Sequence, residues 1–103
     1  MVTSTHKIGK RTVIKILKDI DDMKSGEAFK AALMELYTKG EKEIVIDFGQ
    51  TRMINSHGIG KILMFYRRYK AIGGKIYVAP MNEAIKEIFE SLMLDKLIPE
   101  ITL

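Results

Sequence analysis

Glu43-Ile44-Val45-Ile46-Asp47-Phe48 is the stretch that most limits how this chain can fold. Three consecutive β-branched residues without polar alternation mark a central strand buried on both faces. A strand of that kind is at home in a mixed or largely parallel sheet covered by helices, and the rest of the chain alternates strands and helices in the way such a sheet requires.

Thr12 to Leu17 reads as a strand, and Thr3 to Ile8 can pair with it as a hairpin across Gly9-Lys10. Lys18 to Lys24 is a polar loop. Ser25 is the expected N-cap of a first helix, with Glu27 in its first turn. Ala28, Phe29, Ala32, Leu33 and Leu36 form the apolar stripe of that helix, and Lys39-Gly40 closes it. After the central strand, Gly49 to Asn55 is a connection. A second helix is predicted from Ser56-His57-Gly58 to Ile72, burying Ile59, Ile62, Leu63, Tyr66 and Tyr69, with Lys61, Met64 and Arg68 on the opposite side. Lys75 to Ala79 is a further strand stopped by Pro80. Asn82 caps a third helix whose packed face is Ile85, Ile88, Phe89 and Leu92. Leu97 to Leu103 is a last strand or an extended tail. The fold class is α/β, and 103 residues suit a single domain spanning 1–103.

Composition removes many chemistries. The absence of cysteine excludes disulfides, zinc–thiolate sites, iron–sulfur clusters and thiol nucleophiles, and fits a reducing compartment. His6 and His57 are the only histidines, too few for a histidine-rich metal site. Asp19, Asp21 and Asp22 share a loop, but no second carboxylate cluster completes a cation site, so they read as a solvated acidic loop. Without paired acids, a metal cluster or a nucleophile with its base, the chain is expected to be no enzyme and to need no cofactor. No apolar run reaches the ~20 residues of a membrane span. Nor has the N-terminus the apolar core of a signal peptide, so a cytoplasmic location is expected. The net charge of +4 arises from interspersed residues. Even the tightest basic cluster, Arg67-Arg68-Tyr69-Lys70, reads as a solvated helix face, so neither nucleic acid nor membrane is an expected partner.

The loops after the C-terminal ends of strands carry function in α/β sheets, which singles out Lys18–Lys24 and Gly49–Gly58. Asn55-Ser56-His57-Gly58-Ile59-Gly60 places a hydroxyl and glycines at a helix start, where free amides favour an anion. Ser56 thus sits where a phosphate is tolerated, and the plainer reading of the segment is that Ser56 or Asn55 simply caps the helix. The segment is neither a P-loop nor a nucleophile elbow. His57 directly follows Ser56, so the two form no ready-made dyad.

The order of elements and these motifs resemble STAS domains, and among them the single-domain bacterial anti-sigma-factor antagonists. The resemblance covers residues 10 to 100. It rests on the central strand ending near Asp47, on Ile54-Asn55-Ser56-His57-Gly58-Ile59-Gly60, on Tyr66-Arg67-Arg68 through Gly73-Gly74-Lys75-Ile76, on Leu92-Met93-Leu94-Asp95-Lys96-Leu97-Ile98, and on Asp21 in the early loop. It implies transcription control by partner switching. The unphosphorylated protein binds an anti-sigma factor that is also a serine kinase, phosphorylation of Ser56 releases it, and a serine phosphatase resets the cycle. The partner surface so implied comprises Asp21, Asn55, Ser56, His57 and Gly58, with Lys61, Met64 and Arg68 from the second helix. The sequence departs from the family pattern at Asn55, where the family has Asp, at His57, where a small residue is usual, and at Lys18, where the early loop has Gly. Asn55 and His57 motivate the alternative of a phosphorylation-independent STAS scaffold or small-ligand sensor.

Overall fold

The computed structural model describes residues 2–103. Its elements are β1 (Thr3–Ile8), β2 (Arg11–Ile16), α1 (Met23–Thr38), β3 (Glu43–Phe48), α2 (Ser56–Ala71), β4 (Lys75–Met81), α3 (Glu83–Ser91) and a short 3-10 turn, Leu94–Lys96. The sheet has four strands in the order β1-β2-β3-β4. β1 and β2 form an antiparallel hairpin, while β2 with β3 and β3 with β4 are parallel pairs joined through α1 and α2. This is the mixed, largely parallel α/β sheet expected from the sequence.

Strand alternation splits the sheet into two faces. Ile14, Ile16, Ile44, Ile46, Phe48, Ile76 and Val78 point to one side, where Phe29, Leu33, Ile62, Phe65, Ile85 and Phe89 of the three helices complete the main core. Phe48 is its hub, with ring centroids 6.4 Å from Phe29 and 6.1 Å from Phe89. Val13, Val45 and Ala79 point to the other side and are covered by Tyr77 and Ile101. Both faces of β3 are therefore covered, and its residues Ile44 to Phe48 are all buried.

Several local expectations are corrected. Asp22, not Ser25, caps α1: the Ser25 amide donates to Asp22 Oδ1 at 2.7 Å, and the Asp22 amide donates back to Ser25 Oγ at 3.3 Å. Ser25 becomes the reciprocal partner of a capping box, and Glu27 falls beyond the first turn. β4 does not stop at Pro80 but continues to Met81, since Pro80 lies near the open edge of the sheet and its missing N–H costs no ladder bond there. In α2 it is Phe65 that is fully buried, while Leu63 and Tyr66 are half-buried. Leu92 is exposed because α3 ends before it. The final segment makes a single bridge, Glu100 with Val78, rather than a strand.

Candidate functional site

Two loops at the C-terminal ends of β2 and β3 are tied into one surface. Ile20 and Ile54 form a parallel bridge outside the sheet, the Ile20 amide donating to the Met53 carbonyl (2.9 Å) and the Asn55 amide to the Ile20 carbonyl (2.8 Å). Asp19 Oδ1 accepts from the Arg52 and Met53 amides at 2.8 and 3.3 Å. Buried Thr51 donates its hydroxyl to the Lys18 carbonyl at 3.2 Å. The Asn82 side-chain amide donates to the Thr51 carbonyl, so the residue that caps α3 also holds this loop. The three acids of the early loop thus have separate roles. Asp19 fastens the second loop, Asp22 caps α1, and Asp21 is exposed between them.

The parallel bridge sets the residues that follow it on the two loops, Asp21 and Asn55, at neighbouring positions. Asn55 is the N-cap of α2, its Oδ1 accepting from the Gly58 amide at 2.9 Å. Of the two expected cap candidates, Ser56 and Asn55, it is Asn55 that caps the helix. Ser56 is the first helical residue, and its side chain is exposed together with that of His57. The first amides of α2 have no intrahelical acceptor, so this end carries partial positive charge. Ser56, His57 and Gly60 line a cavity of about 290 Å³ with Lys61 and Met64 of α2 and Lys30 of α1. No acidic side chain lines it.

Four predicted contact residues sit differently from expectation. Gly58 is buried; a Cβ there would lie 2.7 Å from Ile54 Cγ1 and 3.0 Å from Ile20 Cγ2. Its role is to let α2 close onto the Ile20–Ile54 bridge, and it offers no side chain to a partner. Lys61, Met64 and Arg68 do not lie opposite the packed stripe. They form the border of α2 that faces α1. Lys61 is only 17% exposed, with its ammonium 4.0 Å from Glu27, and Met64 is packed against the core. Arg68 is exposed, but its guanidinium lies 5.7 Å from the Tyr37 ring and 5.8 Å from the Phe65 ring. Along a 1.5 Å rise per residue it stands about 18 Å from Ser56, so it is at the far end of any surface centred there.

Sequence reasoning missed Lys30, Met23 and Met53. Met23 opens α1 at 81% exposure and Met53, in the Asp19-bound loop, is 54% exposed. Their signal was present: an apolar side chain in a loop after a strand has no core to join.

A four-stranded mixed sheet with its helices on one side, and an exposed serine directly after the N-cap of α2, define a small α/β domain, and the chain belongs to the STAS domain family, whose sequence pattern matches residues 3–103. BtrV of Bordetella bronchiseptica, described as an anti-sigma factor antagonist, is 24% identical over 78 residues, which are 76% of this chain and 67% of BtrV. A Thermotoga maritima crystal structure described in the same terms superposes with a TM-score of 0.86 at 18% identity, covering 98% of this chain and 86% of the other. SpoIIAA of Bacillus in its phosphorylated form gives 0.73 at 18% identity, covering 97% of this chain and 91% of SpoIIAA. Among the described residues no helix is long and apolar enough to cross a membrane, and no group of three or more His, Asp or Glu could hold a metal ion.

Proposed function

We propose that this protein is an anti-sigma-factor antagonist that works by partner switching. In the unphosphorylated state the surface around Asp21, Asn55, Ser56 and His57, with Met23 and Met53 as apolar contacts, binds an anti-sigma factor carrying serine kinase activity. Transfer of a phosphoryl group to Ser56 ends the complex, and a serine phosphatase restores it. The observation that carries this reading is Ser56 itself, an exposed hydroxyl on the first residue of α2 in a cavity lined by Lys30, His57 and Lys61 and by no acid. Cations around the acceptor favour the approach of an anionic phosphoryl donor. A phosphate adds roughly −1.5 to −2 charges at neutral pH. In the middle of an interface that charge must be desolvated or repelled, whereas at a helix start it leaves the protein's own fold intact.

The test is reconstitution with an anti-sigma-factor serine kinase and ATP, followed by mass spectrometry. One phosphate on Ser56, none on Ser56→Ala, and partner binding weakened at least about tenfold by Ser56→Asp are the expected results. Phosphate on another residue, or none, overturns the kinase step. Asn55 and His57 support a second reading, a phosphorylation-independent scaffold or ligand sensor, and undiminished partner binding by Ser56→Asp would select it.

A further inference from the structure

The edge of β4 is half occupied. Val78 donates its amide to the Pro99 carbonyl at 3.0 Å and accepts the Ile101 amide at 2.9 Å, so the C-terminal segment already occupies one rung of this edge. Backbone groups of alternate strand residues face the same edge. The Lys75 amide, by contrast, bonds the Lys42 carbonyl on the β3 side. Ile76, two residues before Val78, therefore turns its N–H and C=O to the outer edge. The next rung of the parallel ladder would need an N–H at position 99, and proline has none. The segment before Pro99 belongs to the turn after Leu94–Lys96 and leaves the edge.

What remains is a groove of about 360 Å³ with Ile76 among its lining residues. Tyr66, Leu97 and Pro99 also line it. Lys70 and Lys75 line it, and no acidic side chain does. Neither lysine has a carboxylate within ion-pair distance among the described residues.

We infer that this groove is a docking site for an extended acidic segment of a partner protein. The segment adds to the β4 edge through the N–H and C=O of Ile76, rests an aliphatic side chain between Tyr66 and Leu97, and sets carboxylates against Lys70 and Lys75. The chain's own residues 99–101 show that this edge accepts an extended segment, and the cationic lining selects its charge. The groove lies near the last turns of α2, whereas Ser56 is at its first residue, so both surfaces can be engaged at once.

Isotope-labelled protein is titrated with a short capped peptide alternating glutamate and valine, with the same peptide carrying glutamine for glutamate, and with free glutamate, while amide shifts and hydrogen exchange are followed by NMR. The acidic peptide is expected to shift the amides of Lys70, Lys75, Ile76 and Tyr77 and to slow exchange at Ile76. Lys70→Glu with Lys75→Glu should weaken it about tenfold, with the sheet's other amide shifts preserved as proof of folding. Unchanged exchange at Ile76, or equal binding of the glutamine peptide, overturns the proposal. So does the same shift pattern with free glutamate, which would make the groove a small-carboxylate site, or release of residues 99–101, which would make the peptide a replacement for the tail.

Discussion

Ile20 and Ile54 are bridged backbone to backbone across two loops, and their side chains, 0% and 5% exposed, form the apolar floor on which the first turn of α2 rests. Gly58 is the residue of α2 that meets this floor. Gly58→Ala would push a methyl group to within 2.7 Å of Ile54 and 3.0 Å of Ile20. Overpacking of this kind costs about 1–3 kcal/mol. The measurement is urea unfolding, with the midpoint expected to fall. Partner binding should fall with it, because relief of the clash moves Ser56 relative to Asp21.

Asn55→Asp should retain the bond from the Gly58 amide and add a charge at the start of α2. A gain of about 0.5 kcal/mol is expected at neutral pH from the helix dipole. Asp22 supplies the sign: as the cap of α1 its carboxyl is held below the ordinary range, first by the Ser25 amide and then by the Ser25 hydroxyl. A depressed carboxyl contributes stability above its unfolded pKa and loses it as pH falls through the folded one. The added stability of Asn55→Asp should thus disappear on acidification, as thermal unfolding at neutral and acidic pH would record. An unchanged difference in acid would contradict the charge argument.

Phosphoserine installed at position 56 reports on the cations around it. In the wild-type background its second ionisation should lie below that of a phosphoserine peptide, because Lys30 and Lys61 share its cavity. Lys61→Met should raise it by about 0.5, the scale of one partly screened ion pair. Phosphorus NMR titration measures both values, and coincident curves would remove Lys61 from the phosphate's surroundings.

Tyr69 is 1% exposed and its hydroxyl has no hydrogen-bond partner among the described residues. Burial, then Glu41 and then Tyr37, push its pKa from 10.0 up to about 12. A raised pKa means stability that is complete below 10.0 and lost as pH climbs toward about 12. Tyr69→Phe removes a desolvated group that bonds nothing, so it should be neutral or stabilising by about 1 kcal/mol at neutral pH. It should also flatten the alkaline loss, as denaturant unfolding across that range would show. A clear destabilisation at neutral pH would mean that the hydroxyl is bonded after all.

The fold was legible because β3 has no polar alternation and because each parallel crossover carries its own helical stripe. Ser56 and Asp21 were legible as neighbours of strand ends, although their proximity was not. The Ile20–Ile54 bridge is a backbone contact between residues 34 positions apart, and nothing in their side chains announces it. Asp22 outran Ser25 as a cap because the carboxylate accepts the amide bond more strongly, while Ser25 can serve as the reciprocal donor and acceptor. The face occupied by Lys61 depends on how α2 rotates against α1. Periodicity alone does not fix that rotation when Tyr66 and Phe65 compete for the core.

The loop that presents Ser56 is fastened by Asp19, by Thr51 to Lys18, by Ile20 and by Asn82, four points on two different segments. Little chain entropy is left there to be lost when a partner arrives. Association at this surface should accordingly be governed by collision and charge steering rather than by a slow rearrangement. A covalent change on Ser56 should then be read chiefly in how long a complex lives, which gives such a switch its timing without asking the protein to change shape.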